Sequence, residues 1–188
     1  MKKTAIAIYA GILTITSCLS PYKIIEMTKI QRSYIENASR ENEEHLKSWA
    51  NDALEESQII LYESAKDSAG LYWASTDTRG IAKYIFEPFN KHHLNRVLFH
   101  ESLHYLYDKF VKKKRFIELY QEMNEHEYSI KSFIEEQIDK CEERKKDSER
   151  FATLGEYLIF SGSKTPSEMK IFLEDIINLK ANPHNSIP

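Results

Sequence analysis

"VLFHESLHYLYDKF", residues 97–110, contains His100-Glu101-Ser102-Leu103-His104. The stretch holds neither Pro nor Gly. Its apolar residues Val97, Phe99, Leu103, Leu106 and Phe110, with Leu94 and Leu98 beside them, cover a wide face. It reads as a largely buried helix over residues 91–112, with Asn90 as its N-cap. On a helix, positions four apart point the same way, so His100 and His104 would offer two imidazoles to one ion. Neutral imidazole suits Zn2+, with bonds of about 2.0–2.1 Å. Glu101 would set a carboxylate beside the open coordination position. There it can take a proton from water and pass it to a leaving amine. A shuffled chain of this composition carries His-Glu-x-x-His about 3% of the time, so the surroundings must decide between chemistry and coincidence.

Working outward, the 188 residues are enough for one compact domain with a core. Only five Gly and five Pro, among many Glu, Lys, Leu and Ile, predict a mainly α chain. Upstream of the motif the character changes: aromatic and β-branched residues flank a turn-like "STDTRG". Residues 71–74 and 81–86 read as short strands, stopped by Pro88. The fold class expected is therefore α+β: mainly α, with a small β element. Residues 19–68 read as a tether leading into helical material, because Leu46, Trp49, Ala50, Ala53, Leu54, Ile60 and Leu61 recur at helical spacing. A Trp in such a stripe is more often core than binding site. Downstream, "KKKR" at 112–115 reads as a solvated helix end, and 116–146 as charged helix. Residues 148–161 form another helix, and Thr165-Pro166-Ser167-Glu168 starts a last one running to about residue 180.

A catalytic zinc takes a third protein ligand. The metzincin pattern would need Gly at 107 and His at 110, where this chain has Tyr107 and Phe110. The remaining source is an acid on a later helix. In "SERFATLGEYLIF", Glu149, Ala152 and Thr153 place one carboxylate and two small side chains on one face, beside a core stripe of Phe151, Leu154 and Leu158. Glu156, two turns later on that face, and His126 are rival ligands. The other acids of 118–143 read as solvated surface. His92 and His93 read as a polar first turn.

Taken together, His100-Glu101-x-x-His104 and Glu149-x-x-Ala152 resemble the gluzincin zinc metallopeptidases, most of all their lethal-factor-type members. The likeness covers about fifteen residues. It implies a zincin-like motif helix followed by a ligand-bearing helix, Zn2+ held by His100, His104 and Glu149, and Glu101 as general base. The implied activity is peptide-bond hydrolysis by Glu-assisted attack of a zinc-activated water on a peptide or protein substrate. Those enzymes carry a Tyr two helical turns before the third ligand, where this chain has Glu142. The donor that steadies the tetrahedral intermediate stays open among Tyr107, Tyr128, Tyr157 and His126.

The first residues supply an address. Lys2 and Lys3 precede an uncharged apolar run over 5–16, shorter than the roughly 20 residues that span a bilayer. That is the build of a secretory signal. Ile15-Thr16-Ser17-Cys18 resembles the lipobox of bacterial lipoproteins. The resemblance implies cleavage before Cys18, lipidation of its thiol, and anchoring by acyl chains at about 0.8 kcal/mol per buried methylene. An ordinary cleaved signal, or a short uncleaved anchor, is the blander reading. A lipidated Cys18 leaves Cys141 alone, and a Cys18–Cys141 bridge is the competing pairing. The expected organisation is a lipoprotein signal peptide over 1–17, a tether and N-terminal helical region over 18–70, and a zincin-like metallopeptidase core over 71–188. The expected place is the extracytoplasmic face of the bacterial envelope, in the periplasm or at the cell surface. A net charge of -3 argues against nucleic acid as a partner. The rival function is a non-catalytic helical envelope lipoprotein that binds a protein partner, its His pair accidental or a structural staple.

Overall fold

The computed structural model of the chain describes residues 22–43, 57–63, 68–123, 128–139 and 141–160. The fold is α+β, mainly helical with one four-stranded sheet. Its described residues divide into two compact units after Ser102.

The first unit opens with β1 (Lys23–Ile25) and α1 (Lys29–Glu43). A reciprocal cap starts α1. The Gln31 N–H donates to Thr28 Oγ1 at 3.2 Å, and the Thr28 N–H donates to Gln31 Oε1 at 3.0 Å. Strands β2 (Gln58–Glu63), β3 (Gly70–Trp73) and β4 (Thr78–Ala82) complete a sheet of order β1-β2-β4-β3. β2 runs parallel to β4, while β1 and β3 run antiparallel to their neighbours. The β3–β4 hairpin turns at residues 74–77. There Asp77 takes a left-handed φ of 47°, a conformation Asp tolerates better than most residues, and its carboxylate accepts from the Tyr72 hydroxyl at 3.0 Å. A short 3-10 turn, Lys83–Ile85, leads to α2 (Lys91–Phe110). Asn90 Oδ1 accepts the His93 N–H at 3.0 Å and caps α2. Leu94, Val97 and Leu98 of α2 share a core with Ile59, Leu61, Ile81 and Ile85, and with Ile35 and Ala38 of α1. Each Leu, Ile or Val among them contributes about 1.5–3 kcal/mol on full burial.

In the second unit the rest of α2 joins α3 (Lys113–Gln121), α4 (Tyr128–Ile138), a 3-10 turn (Glu143–Lys145) and α5 (Lys146–Phe160). Tyr107, Phe116 and Phe151 meet pairwise with ring centroids 5.4–5.8 Å apart. Arg150 of α5 grips Glu135 of α4 with two bonds of 2.8 Å, and the Tyr120 hydroxyl of α3 donates to the same carboxylate at 2.8 Å. Gly155 lets α5 come close to Leu103, whose Cδ1 would lie 2.8 Å from any Cβ at that position.

Several expectations are corrected. Ile60 and Leu61 belong to strand β2, not to a helical stripe. The run "QIILYE" pairs with strands on both sides, and a short apolar run has no period that tells strand from helix. The second strand is Thr78–Ala82 rather than 81–86. Part of the supposed turn enters the sheet, and the chain coils into a 3-10 turn after Ala82. β4 is interior, with ladders to β2 and β3. "KKKR" stands at the start of α3, not at a helix C-terminus. There Lys113 reaches Asp108 at 3.4 Å, and Arg115 reaches Glu118 at 3.7 Å. The single charged helix over 116–146 is broken into α3, α4 and a 3-10 turn, which lets Phe116, Leu119, Ile134 and Ile138 all be buried. The leader and Cys18, the stripe over 44–56, His126 and the helix from Thr165 lie outside the described residues.

Candidate metal centre

The motif sits mid-way along α2. The ligand atoms of His100, Glu101 and His104 all lie within 4.8 Å of one another. Glu101 and His104 are buried, and His100 is half-buried. Helical spacing alone produces the imidazole pair. The sheet shapes the carboxylate's surroundings: Gly70 of β3 carries no Cβ where Glu101 packs. Ser102, the next residue, donates its hydroxyl to Leu98 O at 2.7 Å and accepts from Arg79 Nη1 at 2.8 Å. This buried bond pins the motif turn to β4.

His104 meets α5. Its Nδ1 lies 2.7 Å from Ser148 Oγ, and its Nε2 lies 3.4 Å from Glu149 Oε2. Glu149 stands in the first turn of α5, where the helix dipole favours a carboxylate. The structure therefore brings Glu149 to His104, and His104 to His100 and Glu101. Glu156 is half-buried further along α5. Tyr107 lies in the aromatic core, its hydroxyl pushed up to about 12 by burial. Glu142 is exposed and pairs with Arg144 at 2.7 Å. Cys141 is a free thiol in the described structure. Burial first, then the charge of Glu149, raise its pKa, so the thiol stays protonated at neutral pH.

Two imidazoles and a carboxylate are donor types that zinc takes; the side chains that converge are His100, Glu101 and His104, and Glu149 meets His104. Two donors at about 2.0–2.1 Å from a tetrahedral ion stand about 3.3–3.4 Å apart. His104 Nε2 and Glu149 Oε2 stand 3.4 Å apart, a separation that fits an ion pair as well as two donors on one ion. Metal-binding imidazoles usually donate their other N–H to a carboxylate, a backbone carbonyl or water, and the Ser148 hydroxyl oxygen at Nδ1 can accept in the same way.

Three contributors went unread in the sequence: Ser148, Gly70 and Arg79. Ser148 adjoins Glu149, and an outer-partner search around the candidate third ligand would have found it. Gly70 and Arg79 bear on the motif through contacts 31 and 23 positions apart in the chain. No local spacing signals them.

No family model, curated protein or solved structure matches the chain. Among the described residues, no helix is long and apolar enough to cross a membrane.

Proposed function

We propose that this chain is a zinc-dependent peptidase, anchored through lipid on Cys18 at the extracytoplasmic face of a bacterial envelope. The observation that supports it best is the facing of His104 Nε2 and Glu149 Oε2 at 3.4 Å, one helical turn from His100 and Glu101. His100, His104 and Glu149 would hold the ion. Bound zinc supplies Lewis acidity, which lowers the pKa of water and polarises a carbonyl. Glu101 takes the proton as a water oxygen attacks the scissile carbon, then delivers it to the departing nitrogen as the C–N bond breaks. Burial of Glu101 keeps bulk water from that proton transfer. β3 is an edge strand whose first residue touches Glu101, so an extended peptide could pair with it beside the reacting groups.

Metal analysis of the full-length chain, purified in mild detergent without chelators, tests this reading. About one zinc per chain is expected, and clear loss of zinc in Glu149→Ala. A wild-type protein that retains none would favour the partner-binding envelope lipoprotein.

A further inference from the structure

We propose that Ser148 is a positioning residue that sets the tautomer and angle of the His104 ring, so that Nε2 presents its lone pair toward Glu149. The inference rests on the zinc reading above. A neutral imidazole carries one N–H, and whichever nitrogen holds it leaves a lone pair on the other. The 2.7 Å approach of Ser148 Oγ to Nδ1 suits a full hydrogen bond. Nε2 on the far side of the ring faces Glu149 Oε2 at 3.4 Å, within ion-pair reach. With the proton on Nδ1, the ring donates to Ser148. Nε2 then turns its lone pair toward the side of Glu149, the orientation in which both could bind one dication.

Ser148 and Glu149 are consecutive in the first turn of α5, so one turn supplies both the ligand and the group that aims the ligand opposite it. The His104 ring is only 7% exposed, so bulk water cannot simply replace the hydroxyl. Without the hydroxyl the ring would lose its preferred tautomer, rotate, or leave a buried N–H unpaired. Loss of such an outer partner commonly weakens metal binding 10–100-fold.

Zinc affinity of the full-length chain in detergent, measured by competition with a chromophoric chelator, tests the assignment. Ser148→Ala should bind zinc about 10–100-fold more weakly, and Ser148→Thr, which keeps the hydroxyl, should restore most of the affinity. Equal affinity of Ser148→Ala and wild type overturns the role of Ser148 alone, as does a Thr variant as weak as Ala. A folded wild type with no zinc affinity overturns the metal reading itself. The ring-nitrogen NMR signature of His104 in zinc-loaded wild type gives a readout needing no variant: a proton on Nδ1 supports the assignment, and a proton on Nε2 overturns it.

Discussion

The Cα of Gly70, at the head of β3, lies against the side chain of Glu101: a Cβ there would stand 2.8 Å from both Glu101 Cγ and Val97 Cγ1. The sheet thus leaves a gap the size of a methyl group, and the general-base candidate fills it. Gly70→Ala should push the Glu101 carboxylate off its position while leaving His100 and His104 in place. We expect zinc to be retained, peptidase activity to fall, and stability to drop by about 1–3 kcal/mol from overpacking. Metal content, turnover and thermal melting, measured on one preparation, check all three.

Glu101→Gln keeps the shape and hydrogen-bonding capacity of the side chain but cannot accept the proton. It should bind zinc as wild type does and lose about 10²–10⁴-fold in turnover. Peptidase activity that survives this change would remove Glu101 from the mechanism.

The grip of Arg150 on Glu135 joins α4 to α5 one residue from Glu149. The Arg150 guanidinium, bonded through two nitrogens, holds the Glu135 carboxyl below its ordinary value of 4.5. A lowered folded-state pKa means stability present above that ordinary value and lost as pH falls through the folded one. Acid unfolding should therefore steepen below about pH 4.5, and Glu135→Gln should flatten that limb. The Glu135 side chain is 40% exposed, so solvent screening limits the effect to about 1 kcal/mol. Thermal melts from pH 3 to 7, as a rough span of the carboxylate range, give the comparison.

If the chain holds zinc as proposed, the ion stabilises the folded state by mass action. Chelation should lower the melting temperature of wild type and leave that of His104→Ala nearly unchanged. An equal drop in both would mean that the chelator acts elsewhere.

Cys18→Ala removes the thiol that would receive the lipid. The protein should leave the membrane fraction or accumulate with its leader uncleaved. Unchanged membrane association would rule out a lipid anchor at this position.

The α2 helix was legible from residues 91–110 alone. Its cap, its apolar coverage and the convergence of His100 with His104 depend on neighbours within four positions, and local geometry needs nothing more. The strand over residues 70–73 was also close to its reading, because aromatics ahead of a polar turn are a short-range signal. β2 was not legible. "QIILYE" is apolar without a period, and only pairing with β1 and β4 makes it a strand.

The site divides along the same line. By itself the sequence determined that two imidazoles and a carboxylate share one helical turn, since a 3.6-residue repeat is a property of the backbone. Glu149 was singled out by the small residues Ala152 and Thr153 on its helical face and by the resemblance, but no spacing tied it to His104. Tertiary structure alone decided which hydroxyl meets Nδ1, which carboxylate faces Nε2, and which glycine admits Glu101. Those contacts join residues 31 to 45 positions apart, and packing between elements, rather than any local rule, brings such residues together.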